Sequence, residues 1–139
     1  DLTVGTLTGT ASIGASGVVT ISEGVFDGVI TSGSVVKTSP ASLTFTATQG
    51  YVGGTTVNGG TLVLAHATDT LADAGALTAL TGTTVDIQAN TDTVATATLG
   101  GSLIGTGTLT ATSYALTDGA VIDANLGTGT LTANGTVAI

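Results

Sequence analysis

The sequence predicts an all-β protein, a parallel β-helix or β-solenoid that runs through residues 1–139 as one segment. Its composition is the first reason: charged residues make up 7% of the chain and hydrophobic residues 42%, whereas ordinary soluble domains carry about 25% charged residues. Threonine is the commonest residue, with 32 copies beside 22 glycines. Because threonine favours strands and glycine favours turns, the composition predicts many short strands joined by tight turns.

The second reason is alternation between apolar and polar residues. Five short alternating runs begin at Leu43, Thr61, Thr84, Thr108 and Gly129. A period of two residues indicates strands with one buried and one solvent-facing side. Turn residues separate the runs, at 53–54, 58–60, 100–101, 118–119 and 134–135. An antiparallel β-sandwich fits the same pattern and stands as the alternative fold.

Four landmarks that recur in the same order favour the solenoid. They are Leu7 with Leu99, Val19 with Leu109, Asp27-Gly28 with Asp118-Gly119, and Leu43 with Leu131, at separations of 92, 90, 91 and 88 residues. We interpret them as a repeat of about ninety residues, present one and a half times, whose coils stack because none buries its apolar side alone. No initiator methionine or apolar leader opens the chain, so we expect a mature or excised fragment cut within repeats.

One stretch departs from the strand pattern. Residues 68–80 contain Leu71, Ala72, Ala74, Ala76 and Leu77, which have good helix propensity. We predict a short helical turn there, and strands and turns everywhere else.

A family resemblance begins at residue 51. Residues 51–64 read YVGGTTVNGGTLVL, which closely resembles the autotransporter-associated β-strand repeat, also called the passenger-associated transport repeat, with its pattern Tyr-x-Gly-x-Thr-x-Val-Asn-x-Gly-x-Leu. Leu71 and Leu77 stand at the leucine-rich turn of that family, and residues 82–87 resemble its Gly-Ala-Thr-Leu-Asp-Leu element. The match continues through residues 93–101.

Two further blocks are similar to the same kind of protein. Residues 37–45 resemble the Lys-Thr-Gly-x-Gly-Thr-Leu-x-Leu element, with serine and proline in place of the glycines, and residues 114–131 resemble a companion block of giant repetitive bacterial surface proteins. The resemblance implies a right-handed parallel β-helix in a secreted passenger, displayed outside a bacterial cell in many tandem copies. It implies no catalytic residues.

Charge limits the partners. The net charge is −8, with one lysine and no arginine, so phosphate backbones and anionic membrane surfaces would repel the chain. Cysteine is absent, which excludes disulfides and thiolate metal sites. No unbroken apolar run is long enough to span a bilayer. The expected partners are neighbouring repeats, copies of the chain, or surface glycans and cell surfaces.

The acidic residues carry no obvious acid-base chemistry. They are Asp1, Glu23, Asp27, Asp69, Asp73, Asp86, Asp92, Asp118 and Asp123. We interpret them as solvated turn residues, because no close pair has an arginine or a second histidine to tune a pKa. A β-helical polysaccharide-cleaving enzyme needs clustered carboxylates with cations beside them, and Lys37 is the only lysine.

No cofactor, metal or catalytic residue is predicted. The Gly-Gly turns lack the aspartate of calcium-binding repeats, and Asp69 with Asp73, or Asp118 with Asp123, could hold only an adventitious ion. His66 is the only histidine, and we place it at the surface near a strand end rather than in a Ser-His-Asp arrangement.

The aromatic and threonine residues are also assigned to structure. The four aromatics are Phe26, Phe45, Tyr51 and Tyr114, too few for a sugar-stacking platform, and we expect them in the core. Threonine runs at 44–48 and 106–112 would place rows of hydroxyl and methyl groups on a flat face, as an ice-binding surface requires. Strand propensity explains the same residues.

The function expected from the sequence is a non-enzymatic, extracellular, structural or adhesive solenoid segment of a repetitive cell-surface protein. One alternative is a complete small subunit that assembles into a filament through exposed strand edges. A second alternative is a β-helical polysaccharide-active enzyme, with Asp86 as the carboxylate to test.

Overall fold

A computed structural model describes all residues, 1–139, as fourteen strands without a helix. The strands, β1 to β14 in chain order, are Leu2–Thr6, Ser12–Ile13, Val18–Phe26, Val29–Ile30, Ser34–Lys37, Ser42–Phe45, Thr55–Val57, Thr61–Leu64, Leu77–Ala79, Thr84–Asp86, Thr91–Leu99, Ser102–Leu116, Val121–Leu126 and Thr130–Ala133. No helix long and apolar enough to cross a membrane is present.

Every strand pairing is parallel. Paired residues lie between 16 positions apart, as Val18 and Ser34 do, and 23 positions apart, as Thr61 and Thr84 do. A parallel pair needs a crossover between its strands, and here that crossover is one turn of a coil. The chain makes about seven such turns. The predicted parallel β-solenoid is confirmed, and the antiparallel sandwich is wrong.

Each coil has three faces. Face 1 is formed by β1, β5, β7, β9 and β14 with the start of β3 and the ends of β11 and β12. Face 2 is formed by the end of β3, β6, β8 and β10 with the starts of β12 and β13. Face 3 contains β2, β4, the start of β11, the middle of β12 and the end of β13.

The core follows from the predicted alternation. On face 1, the aligned residues Val19, Val35 and Leu77 point inward and are fully buried or nearly so. Residues that pairing aligns along the solenoid axis form a column. The next column on face 1 points outward and is mostly threonine. In all, 27 buried hydrophobic residues form one continuous cluster. The apolar interior and the outward threonine ladders are therefore as predicted.

Glycine permits the corners where one long strand passes between faces. Gly24, inside β3, has a φ of 134°, and a Cβ there would lie 1.9 Å from the carbonyl oxygen of Leu7. Gly105, inside β12, has a φ of 120°, and its Cβ would lie 2.5 Å from the carbonyl oxygen of Gln88. Both the conformation and the close backbone approach require glycine.

The helical turn predicted for residues 68–80 is wrong. This stretch contains a short turn and then β9. The backbone N–H groups of Thr70 and Leu71 donate to a carboxylate in the next coil instead of to helical carbonyls. Isolated short helices are marginal, so burial of Leu71 and Leu77 on two different faces decides the conformation.

The landmarks of the ninety-residue repeat do not occupy equivalent faces. Leu43 pairs with Gly24 and Leu62 on face 2, whereas its counterpart Leu131 pairs with Tyr114 on face 1. The same holds for the other landmark pairs. In each of them the second landmark lies four complete coils and two further faces beyond the first, and therefore on a different part of the coil. The repeat itself stays a prediction about the sequence.

Replacement of Gly105 by alanine tests the corner geometry. We expect Gly105→Ala to lower the free energy of unfolding by about 1–3 kcal/mol, the usual cost of a strained backbone conformation. Chemical denaturation followed by circular dichroism measures it. The control is Gly5→Ala, where a Cβ would meet nothing within 4 Å and where a change within about 0.5 kcal/mol is expected. Equal effects at the two positions would contradict the assignment.

Candidate functional site

Most of the acidic residues are accessible to solvent, as the sequence predicts. Eight of the nine are exposed or half-buried, at corners or on outward strand positions. Asp92 is the exception, with 2% of its surface exposed. The prediction of a solvated turn acid is therefore wrong for Asp92.

Asp92 lies inside the solenoid on face 3. It pairs with Leu109 in β12, which in turn pairs with Leu126, so a carboxylate occupies a position that two leucines fill in later coils. Its oxygens accept hydrogen bonds from the backbone N–H groups of Thr70, at 3.0 Å, and Leu71, at 3.2 Å. The irregular segment before β9 leaves these donors without strand partners, and Asp92 satisfies them.

Burial changes the acidity of Asp92. It raises the pKa of Asp92 from 3.8 to about 7, because the charged form is poorly solvated inside the solenoid. The hydrogen bonds from Thr70 and Leu71 lower this pKa, and the nearby charge of Asp69 raises it. The carboxyl of Asp92 therefore titrates near neutral pH.

Asp69 and Asp73 lie close together on the outer side of this site. Burial raises the pKa of Asp69, and the neighbouring Asp73 carboxyl raises it further. The backbone N–H of Thr93 is 3.5 Å from an Asp69 oxygen. No group of three or more histidine or carboxylate side chains is arranged to hold a metal ion.

Lys37, the only lysine of the chain, is enclosed in the solenoid. The side chain is 0% exposed and occupies an inward position of face 1, in register with Ile21 and Val57. Its Nζ donates to the carbonyl oxygens of Ser39, at 2.5 Å, and Gly59, at 3.1 Å. Burial lowers the pKa of Lys37, while the charge of Glu23 raises it. Through these two hydrogen bonds Lys37 stabilises the corner that contains Ser39 and Gly59. Its positive charge does not face outward.

His66 lies two residues beyond the end of β8 and is half-buried. Its Nδ1 is 3.3 Å from the hydroxyl oxygen of Thr48. That hydroxyl donates to the carbonyl oxygen of Asp69 at 2.5 Å. Because a hydroxyl has one proton and a carbonyl oxygen can only accept, the Thr48 proton is directed away from His66. The pair lacks the geometry of a nucleophile with its general base.

The four aromatic residues are all in the core, as predicted. Phe26 and Phe45 are in edge-to-face contact, with ring centroids 6.4 Å apart. The buried Tyr51 hydroxyl is 2.6 Å from the hydroxyl of Thr55, and burial raises the pKa of Tyr51. The Tyr114 hydroxyl donates to the carbonyl oxygen of Leu109. None of these rings is available for stacking against a ligand.

The largest concave surface is an open groove of about 600 Å³ at the corner between faces 3 and 1. Its walls carry hydroxyl groups of Thr93, Thr110, Thr112 and Thr128, with the Asp73 carboxyl at one side. No histidine, lysine or aromatic side chain lines it. The groove can form neutral hydrogen bonds but contains no paired acid and base.

Fold and site together define the class of the molecule, a parallel β-solenoid with hydroxyl-rich walls. Comparison with protein-family models, curated proteins and solved structures finds no match to this chain. The resemblance of residues 51–101 to the autotransporter-associated repeat stays a prediction.

The buried carboxyl predicts an unusual pH dependence of stability. The folded protein binds a proton at Asp92 more tightly than the unfolded chain, so the stabilisation is complete below about pH 4 and is lost as pH rises to about 7. We expect the free energy of unfolding to fall over this range by roughly 3 kcal/mol, and Asp92→Asn to remove most of that change. Thermal melts at several pH values measure it.

The matched control is Asp123→Asn, at an exposed outward position. This variant should keep the pH dependence of the original protein. A slope that persists in Asp92→Asn would show that another group controls it.

Proposed function

We propose that this chain is a non-enzymatic structural or adhesive segment of a secreted, repetitive cell-surface protein. The observation that carries the proposal is the stacking of coils around one continuous cluster of buried hydrophobic residues. Such a molecule gains length by adding coils, and each coil contacts only its neighbours. Extended spacers and adhesive stalks need this property.

The distribution of reactive groups supports the same proposal. The strongly perturbed carboxyl, Asp92, is enclosed and bonded to the backbone. Asp86 and Asp123 share an outward column of face 2, but they are two coils apart with Ile104 between them. With Lys37 buried, no cationic side chain accompanies these carboxylates, as binding of an acidic polysaccharide would require.

The experiment is to locate the chain in its native source with an antibody raised against it. We expect a polypeptide much larger than 13.2 kDa that protease added to intact cells removes. The purified chain should leave a panel of polysaccharides intact. A 13-kDa cytoplasmic species, or cleavage of a polysaccharide that Asp86→Asn abolishes while Asp123→Asn does not, would overturn the proposal.

A filament-forming subunit is the second candidate, and copies of it would join through the two ends of the solenoid. β1 pairs only with β3, and β14 pairs only with β12, so each has an unpaired outer edge. The inward side chains Leu2 and Leu131 at these ends are 39% and 48% exposed. Free parallel edges with apolar side chains are templates for another chain.

Electron microscopy of the purified chain tests this candidate. End-to-end stacking predicts unbranched filaments, and Leu131→Lys should abolish them by placing a charge in the joint. Leu80→Lys is the control, since Leu80 is 46% exposed but lies away from the ends. Particles that remain single at high concentration would exclude the filament-forming subunit. The segment of a secreted surface protein would then be the remaining candidate.

A further inference from the structure

The outer surface of face 1 carries one nearly uniform column of threonine. Parallel pairing aligns Thr3, Thr20, Thr56, Thr78, Thr98 and Thr132 along the solenoid axis. The column is interrupted only by the similarly shaped Val36 and by Ala115. Adjacent strands fix the spacing of the side chains at about 4.8 Å. The column therefore presents an array with a constant repeat.

The hydroxyl groups of this column are not used inside the protein. Threonines at the corners, such as Thr46 and Thr112, donate to backbone carbonyls of the preceding coil, whereas the six column hydroxyls take part in none of the side-chain hydrogen bonds within the molecule. β-branching restricts the rotation of each threonine side chain. The methyl and hydroxyl groups thus have few orientations available and face outward from the sheet.

The columns on either side of the threonines carry almost no charge. Apart from Asp1 at the first coil, they contain small or neutral residues, among them Ser34, Thr96, Ser113 and Asn58. Beyond Asp1, these columns therefore contain no charged side chain that could form an ion pair with a charged partner. No exposed aromatic ring is available for a sugar, because all four aromatics are buried.

The area of face 1 argues against a protein partner. Eight strands at about 4.8 Å and five residues at about 3.3 Å give a surface of roughly 630 Å². A stable protein interface buries about 800 Å² on each partner. A second copy of this chain would therefore be held only weakly through this face.

We propose that face 1 adsorbs to the surface of ice. An ice crystal is already ordered and periodic, so a rigid array can contact it at many points without the cost of ordering a flexible partner. Each threonine hydroxyl donates one hydrogen bond and accepts two, and water in a crystal offers both donors and acceptors. The methyl groups between the hydroxyls fill the intervening space. This binding would add to a structural role and does not depend on it.

The experiment is to follow single ice crystals in a solution of the purified chain. We expect faceted crystals and a gap between the melting and growth temperatures. Thr78→Tyr and Thr98→Tyr, in the centre of the column, should lose most of this gap. Tyrosine keeps a high strand propensity but projects beyond the neighbouring threonine side chains and prevents close contact.

Thr84→Tyr is the matched control, because Thr84 is an equally half-buried outward threonine on face 2, in register with Thr61 and Ser102. It should keep the gap of the original protein. Circular dichroism confirms that the variants fold, and the two column variants check each other. Absence of the gap, an equal loss in Thr84→Tyr, or a dimer that Thr78→Tyr dissociates would each overturn the proposal.

Discussion

The parallel backbone hydrogen bonding between successive coils is the constraint on which the structure depends. It fixes the register of every strand, and the molecule contains 75 backbone hydrogen bonds in total. Because side chains alternate across a strand, a fixed register also fixes which column each residue joins. A slip of one residue would turn the inward leucines to the solvent. The core, the threonine column and the corner positions all follow from the same pairing.

Coils of unequal length would leave backbone groups unpaired, and buried polar side chains prevent this. Gln49 in the third coil accepts from the N–H of Ile30 and donates to the carbonyl oxygens of Gly28 and Ala47. Asp92 does the same for two N–H groups of the preceding coil. No buried side-chain nitrogen or oxygen lacks a partner. These residues bridge places where the length of the coil changes.

Much of the fold could be predicted from the sequence, because alternation and turn residues are local signals. The runs beginning at Leu43, Thr61 and Thr84 lie in or beside observed strands. The faces could not be predicted, since a strand such as β12 turns a corner at Gly105 and continues as one strand onto the next face. Alternation marks inward and outward positions, but it does not mark which wall of the coil they belong to.

The buried acid was missed although a signal for it exists. Residues 91–94 alternate, which places Asp92 on the same side of β11 as the buried Val94. Assigning all acids to turns by residue type overlooked that position. Lys37 follows the same rule, because it shares the inward side of β5 with Val35. In both cases the two-residue period was a better guide than the polarity of the side chain.

The burial of Lys37 also determines how copies of the molecule interact at a distance. With the single lysine enclosed and no arginine present, the side chains of the outer walls carry negative charge alone. Apart from Asp1 at the first coil, that charge lies at corners and on faces 2 and 3, so two molecules side by side repel each other least across face 1. This repulsion is long-ranged in fresh water and reaches only about 8 Å at physiological ionic strength. Salt therefore sets how closely neighbouring solenoids approach one another.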